Sequence, residues 1–230
     1  MLEKKGDGKN CELKSAQYLI ETLPALDGKI ITSDPLHNQR ETARVIVEKG
    51  GDYLQQVKEN QKTLYKQIQK QFAGVAPVYD PPEKGHGRIE QRAIGVLNTC
   101  AMKSSFPYAR SVLAVWSRRR VKDQTTESLR YYISSLDASG RSASRWHELI
   151  RGHWGGVENR NHWRKDAVWL EDRTRSRNAK LVGNLALLRN ALLKIYADHC
   201  EHYESLPAFT ESLRADPTVA FHLITRPLRL

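Results

Sequence analysis

Apolar and polar positions along the first seventy residues predict helices and strands in turn. Residues 12–23 carry apolar side chains at helical spacing and stop before a proline. Residues 29–34 form a short β-branched run between a glycine and a proline, which is typical of a strand. A helix over 38–49, a strand over 53–57 and a helix over 61–72 follow. This alternation predicts parallel strand pairing with right-handed crossovers.

The ends of these elements carry the first candidate chemistry. Asn38 is placed to cap the second helix, with Glu41 three residues later as in a capping box, and a Gly-Gly pair stops that helix. Asp34 stands at the C-terminal end of the first strand. Because ligands bind outside the carboxyl ends of strands in open α/β sheets, we expect Asp34 to lie at a binding site, close to the helix start.

The middle of the chain has a different pattern, which begins at residue 74 with prolines and glycines. Three strand-like runs follow at residues 88–97, 111–121 and 127–135, without helices between them. Such runs are typical of an antiparallel insert. The last two are joined by a basic turn that contains Arg118, Arg119, Arg120 and Lys122.

Helical periodicity returns over residues 146–151, 157–166 and 178–197. The last of these helices has a continuous apolar face, formed by Leu181, Leu185, Leu188, Leu192 and Ile195. The fold class that these patterns predict is α/β. Four segments are expected, namely an N-terminal part of an α/β core (1–73), a β-rich insert (74–138), a C-terminal helical part of the core (139–200) and a helical tail (201–230).

Charge and composition narrow the class of partner. The 230-residue chain has a net charge of +11 and a pI near 9.6, which favours a polyanion, and the basic stretches 118–122 and 151–177 are the expected DNA contacts. Its three cysteines are widely spaced, so neither a disulfide framework nor a zinc ribbon is indicated, and a reducing cytoplasm fits. There is no apolar run of about 18 residues and no apolar leader, so we expect no membrane span and no cleaved signal.

The stretch from His153 to Asp166 concentrates the remaining candidate chemistry. A helix that starts after its Gly-Gly pair places Glu158, His162 and Lys165 on one face, at i, i+4 and i+7. A carboxylate beside cations suits a metal and a phosphate better than it suits a protein core. The alternative is a solvated amphipathic helix in which the two tryptophans of the stretch are packing anchors.

The sequence from His153 to Asp166 resembles the H-W-G-x-E-N-x-x-H-W-x-x-D motif of the DDE transposases of bacterial insertion sequences, of the H-repeat-associated type. Further matching segments occur in the family's order between residues 9 and 196. They are Ile31-Thr32-Ser33-Asp34 with Gln39, Glu48-Lys49-Gly50-Gly51-Asp52-Tyr53, Lys58-Glu59-Asn60-Gln61, Gly85-His86-Gly87-Arg88-Ile89-Glu90, Tyr132-Ile133-Ser134-Ser135-Leu136 and Asn184-Leu185-Ala186-Leu187-Leu188-Arg189.

The resemblance implies a ribonuclease-H-like core with a metal site that cuts and joins DNA. Asp34 and Glu158 match the second and third acidic residues of the family and would be the catalytic, metal-binding carboxylates. The implied cofactor is Mg²⁺, with Mn²⁺ as a substitute, and the implied partners are the DNA ends of the insertion sequence, the target DNA and a second copy of the chain. The expected DNA-binding residues are Lys58, Gln61, Arg151, His153, Asn159, Arg160, His162 and Lys165.

Simpler interpretations of the same residues stay open. Asp34 could be a turn residue before a proline, and Glu158 a carboxylate favoured by a helix N-terminus. His153 and His162 could bind zinc with Asp166 or Glu158, although their spacing is not H-E-x-x-H and no cysteine lies nearby. The Gly85–Arg88 segment lacks the Lys-Ser/Thr pair of a P-loop, so a nucleoside triphosphate site is not supported.

Two departures from the family pattern limit what the resemblance implies. The family's first catalytic Asp lies in an Asp-Gly-Lys tripeptide on a strand about forty residues before the first matching segment; residues 7–9 repeat these letters without an apolar strand, which we interpret as coincidence. The chain is therefore expected to begin after the first strand of the core and most of the next two, which leaves the metal site with two of its three carboxylates. In addition, Gly155-Gly156-Val157 is one residue longer than the family spacing, which would rotate Arg151 and His153 by about 100° in a continuous helix.

The function that follows is an insertion-sequence transposase, expected to be an N-terminally truncated and inactive remnant. One alternative is a DNA-binding module that performs no chemistry. The other is a metal-dependent nuclease that acts alone.

Overall fold

Strand and helix alternate in the N-terminal part of the chain, as the hydrophobic pattern predicts. The computed structural model describes residues 8–85, 87–99, 106–153 and 163–225. The N-terminal elements are α1 (Gly8–Thr22), β1 (Ile30–Ser33), α2 (Arg40–Glu48), β2 (Asp52–Val57) and α3 (Lys62–Gln71). They are followed by β3 (Glu83–Gly85), β4 (Arg88–Asn98), β5 (Ser111–Val121), β6 (Gln124–Ser134) and α4 (Ala143–His153).

The six strands in the described part of the chain belong to one sheet, in the order β1-β2-β6-β5-β4-β3. The parallel pairing predicted for the first two strands is confirmed, with Ile31 opposite Tyr53. The later pairs are antiparallel, as expected for strands without intervening helices. Because β6 pairs with β2, the antiparallel strands extend the same sheet and do not form a separate one.

Helices α2 and α3 contribute to a hydrophobic core with one face of this sheet. Ile46 of α2 and Ile68 of α3 are fully buried there with Tyr53, Val112 and Ile133. Val112 lies opposite Ile133 in the register, and Tyr53 is two residues from Gln55, which is the β2 partner of Ile133, so the three side chains point to the same face. This core holds α2 and α3 against the sheet, and so it also positions the loops that join β1 to α2 and β2 to α3.

The capping box predicted for α2 is wrong. The residue before α2 is Gln39, whose side chain makes no capping hydrogen bond. Asn38 is fully buried instead, and its Nδ2 donates to the carbonyl oxygen of Gln56 at 2.9 Å. A buried carbonyl without a hydrogen-bond partner destabilises the fold, whereas water can bind the amides at an exposed helix end. The Asn38 side chain therefore stabilises the fold more by binding the Gln56 carbonyl than by capping α2.

The chain falls into two compact units, Met1–Ile150 and Arg151–Leu230. The second unit holds α5 (Trp163–Trp169), α6 (Ala179–His199), α7 (Leu206–Ala215) and α8 (Pro217–Thr225). These two units do not coincide with the four segments expected from the sequence, whose assignment to a core, an insert and a tail stays a prediction. Within the described residues, none of the helices is long and apolar enough to cross a membrane.

Helix α6 begins with a side-chain cap, and the apolar face predicted for it is covered only in part. Asn178 caps the helix by accepting hydrogen bonds from the amides of Lys180 and Leu181. Tyr196, near its C-terminal end, is buried in a cluster with Leu206 and Phe209 of α7. The expected apolar face is not covered along the whole helix, because two of its members are largely exposed, Leu181 at 48% and Leu188 at 61%.

Candidate active site beside Asp34

Asp34 follows β1 directly and is held in a fixed orientation by the turn that it begins. Its Oδ1 accepts hydrogen bonds from the amides of Leu36 at 3.1 Å and His37 at 3.2 Å. The other carboxylate oxygen, Oδ2, has no hydrogen-bond partner within the described residues. A carboxylate bound through one oxygen keeps the second for a cation or a water molecule, so the turn interpretation and the metal interpretation of Asp34 are compatible.

Side chains from the loop after β2 hold this turn in place. Asn60 Nδ2 donates to the carbonyl oxygen of Pro35 at 2.7 Å. Gln61 Nε2 donates to the carbonyl oxygen of Asn38. Asn38 in turn donates to Gln56, so the loops after β1 and β2 are tied together through three amide side chains. The position of Asp34 therefore depends on residues about 25 positions later in the chain.

A cavity of about 810 Å³ opens beside Asp34. The register explains its position, because β2 ends at Val57 opposite Tyr131 and pairs with only residues 131–134 of β6. The space beyond that end is bordered by the preceding residues of β6 and by the two loops. The lining is formed by Asp34, Pro35, Leu36, Gln56, Val57, Lys58, Glu59, Asn60, Tyr65, Ser128, Leu129, Arg130 and Tyr131.

The inner wall of the cavity combines aromatic rings with a polar group. Tyr65 and Tyr131 meet edge to face, with ring centroids 5.2 Å apart. Desolvation raises the pKa of Tyr131, with a smaller contribution from Tyr65, so the phenol stays neutral at physiological pH. Gln56 is buried, and its Oε1 has no hydrogen-bond partner among the described residues.

The cavity brings together residues that the sequence indicates and others that it does not. Lys58 was expected to bind DNA, and it lines the cavity with Asp34. Glu59 adds a second carboxylate that we did not single out. Its position directly after a strand that runs parallel to β1 could have indicated it, because both strands end at the same edge. Arg130 gives the lining a second cation beside Lys58. Its place in the lining follows from the register of β6, which the sequence alone does not give.

The metal-binding role expected of Asp34 stays a prediction. Asp34 offers a free oxygen at a cavity wall, which is what a hard cation requires. Within the described ranges, no three or more His, Cys, Asp or Glu side chains are grouped closely enough to hold a metal ion. Glu158, the other expected ligand, lies outside the described residues, so its distance from Asp34 stays a prediction.

The remaining expected DNA-binding residues belong to the stretch around Glu158. Asn159, Arg160 and His162 lie outside the described residues. Because His162 is one of the ligands in the zinc interpretation, that interpretation is not tested either. Arg151 and His153 occupy the last turn of α4, which ends at His153. Whether any of them contacts DNA stays a prediction.

Lys165 is described, and it already has partners within its unit. Its Nζ lies 3.3 Å from Glu171 Oε2 and 3.4 Å from Asn190 Oδ1. Glu171 also pairs with Arg189, whose Nη1 lies 3.6 Å from Oε1. The Lys165 side chain is only 13% exposed, so its role in this unit is to join α5 to α6. Its expected contact with a phosphate is an additional role that stays a prediction.

Comparison with known proteins assigns the chain to a family. Residues 3–193 match the family model described as "Transposase DDE domain". Two proteins of Escherichia coli K12 are each 33% identical to the chain over 205 residues, which is 83% of this chain and 53% of theirs; they are called "Putative protein YbfL" and "H repeat-associated putative transposase YhhI". "Putative transposase YncI" of Escherichia coli O157:H7 is 28% identical over 211 residues.

The chain spans about half the length of these curated relatives, since the match covers 53% of the first two and 52% of the third. The matched region includes β1 with Asp34, the loop after β2 and the stretch around Glu158. The resemblance read from the motifs is thus confirmed over most of the sequence: this chain is a member of the DDE transposase domain family.

Proposed function

We propose that the chain takes part in the transposition of a bacterial insertion sequence, and that the cavity beside Asp34 holds the DNA phosphodiester that is cut and joined. The observation that carries the proposal is the placement of Asp34, oriented by two amide hydrogen bonds, on a cavity that Lys58 and Arg130 also line. A carboxylate for a cation and two cations for a phosphate are then present in one site. The net charge of +11 supports DNA as the partner.

The expected cofactor is a pair of Mg²⁺ ions, with Mn²⁺ as a substitute. Two such ions, about 4 Å apart, stabilise the attacking and leaving oxygens of a phosphoryl transfer. In this chain Asp34, through Oδ2, and Glu158 would hold them. Lys58 and Arg130 would orient the phosphate, and the tyrosine-lined wall would limit the access of water to it.

The parallel β1 and β2 with α2 between them support a ribonuclease-H-like core. In this proposal residues 1–73 and 139–200 form the core, and the antiparallel strands between them are an insert whose last strand continues the core sheet through β2. Self-association on DNA belongs to the same proposal.

The proposal is tested by Mn²⁺ binding, measured by electron paramagnetic resonance on the 230-residue chain. We expect Asp34→Asn and Glu158→Gln each to weaken Mn²⁺ binding at least tenfold. Asp123→Asn is the matched control, because it removes an exposed carboxylate in the turn between β5 and β6. Unchanged binding in Asp34→Asn, or an equal loss in the control, would overturn the site assignment and leave DNA binding without chemistry as the better proposal.

A further inference from the structure

A single face of β6 lines two separate depressions in the first unit. Leu129 and Tyr131 line the cavity beside Asp34. Thr125 and Glu127 line a second groove, of about 600 Å³, nearer the β5–β6 turn. Because alternate residues of a strand point to the same face, these four side chains form one row. The groove therefore continues the face on which Tyr131 lies.

The groove is basic, and part of its charge is not neutralised. Among the described residues that line it, the cations are Lys84, Arg118 and Arg120, and the acid is Glu127. Arg118 Nε lies 2.7 Å from Glu127 Oε1, and its guanidinium stacks over the ring of Tyr79 at 4.8 Å. Lys84 and Arg120 are exposed and have no ion-pair partner within the described part of the chain. Two unpaired cations thus face solvent beside an arginine that is already oriented.

The opposite face of the same strands is also rich in arginine, but acids compensate it. Glu90 is only 17% exposed, and its Oε1 lies 2.7 Å from Arg88 Nε. Arg92 pairs with Glu90 and with Glu83, the latter at 3.1 Å. Arg119 lies at 4.0 Å from Glu90. The consecutive arginines of the β5–β6 hairpin therefore divide between two faces, one paired with acids and one open to a ligand.

We propose that the exposed part of this face of β6, from Thr125 to Leu129, is a track for duplex DNA, on which Lys84 and Arg120 bind the phosphate backbone on one side of the cavity beside Asp34. This inference rests on the proposed function, because it takes that cavity as the place of the reacting phosphodiester. Tyr131 and Thr125 are six residues apart on a strand, which corresponds to about 20 Å. Since a duplex rises 3.4 Å per base pair, the basic groove would contact the DNA about six base pairs from the phosphodiester that lies in the cavity beside Asp34.

The test compares two adjacent arginines that have equal charge and lie on opposite faces. Binding of a fluorescein-labelled 20-base-pair duplex to the 230-residue chain is measured by anisotropy, without divalent cations, between 50 and 200 mM salt. We expect Arg120→Gln and Lys84→Gln each to weaken binding about eightfold at 0.1 M salt and to reduce the log–log salt slope by about 0.9. Arg119→Gln, the control, should change binding less than twofold and leave the slope unchanged.

Each outcome bears on one proposal separately. Equal losses in Arg119→Gln and Arg120→Gln would show that net charge alone attracts DNA, and an unchanged slope in Arg120→Gln would show that the groove is not a contact; both overturn the track. If Arg120→Gln behaves as expected while Asp34→Asn leaves Mn²⁺ binding intact, the track stands and the metal-site proposal fails. Thermal unfolding of the three variants, all at exposed positions, verifies that each remains folded.

Discussion

The side chain of Gln61 donates a hydrogen bond to the main-chain carbonyl of Asn38, and so connects the loop after β2 to the turn that carries Asp34. Asn38 completes the connection by donating to Gln56. Family resemblance suggested Gln61 as a DNA contact. Its amide is already used within the fold, which makes it a residue that positions Asp34 indirectly.

Replacing Gln61 with Ala should therefore lower stability more than it alters the electrostatics of DNA binding. Loss of one partly buried hydrogen bond costs about 1 kcal/mol in the free energy of unfolding, and more if the Asn38 carbonyl stays unsatisfied. Urea denaturation measures this cost. Gln67→Ala, at an exposed position of α3, is the matched control and should cost less than about 0.5 kcal/mol. Weaker DNA binding at unchanged stability and unchanged salt slope would restore Gln61 to the list of DNA contacts.

Packing of α3 on the sheet predicts opposite effects for two Gly→Ala changes. A Cβ at Gly95 of β4 would lie 2.9 Å from Phe72 and 3.2 Å from Trp116, whose rings already meet edge to face. Gly95→Ala should destabilise the chain by about 1–3 kcal/mol. Gly183→Ala in α6 meets no atom within 4 Å and should be neutral or stabilising by up to about 1 kcal/mol. Thermal melts of both variants test this, and a neutral Gly95→Ala would contradict the close packing of α3 on β4.

Stability should fall as the pH rises above about 10, because of Tyr53. Burial, and secondarily the charge of Asp52, raises the pKa of this phenol well above its ordinary value of 10.0, and its hydroxyl donates to the Pro107 carbonyl. The unfolded chain then loses the proton at a lower pH than the folded chain. The contribution of Tyr53 to stability is therefore constant below the pKa that this phenol has in the unfolded chain. Above that pKa it declines, by up to about 1.4 kcal/mol per pH unit.

Urea denaturation between pH 8 and 11 should show this decline in the wild type and a shallower one in Tyr53→Phe. That variant also loses the hydrogen bond to Pro107, so its stability at pH 8 should be lower by about 1 kcal/mol. The difference between the two slopes, not between the two absolute values, reports on the phenol. Identical slopes would mean that Tyr53 ionises as readily in the folded chain as in the unfolded one.

The 230-residue chain, purified alone, should show no strand transfer above background with Mg²⁺ or Mn²⁺. Asp34 and Glu158 are the two carboxylates proposed to hold the metals, and two carboxylates offer less negative charge to a pair of divalent ions than three, so we expect one ion to be held weakly. Losing a few kcal/mol of transition-state stabilisation reduces the rate about a hundred- to a thousandfold. A labelled-duplex joining assay measures it. Robust activity would indicate a third ligand within the chain, and Glu12 and Glu59 would be the first residues to substitute.

The sequence by itself determined the elements and the family. Hydrophobic periodicity located β1, β2, β4–β6 and α1–α3 to within a few residues, and it placed Asp34 at the end of β1. Periodicity can do this because the preference for helix or strand depends on side chains a few positions apart. The motif order gave the transposase domain family, since motifs are read directly from the residues.

Tertiary structure decided which polar side chains are available for a ligand. Asn38 fits a capping box in the sequence, yet it serves the end of β2, 18 residues away. Arg119 and Arg120 are equivalent in the sequence, but the register brings Glu90 to one and Thr125 to the other. Glu59 and Arg130 join Asp34 only because β2 ends opposite Tyr131. Pairing over such separations depends on how the whole sheet packs, and local preference does not contain that information.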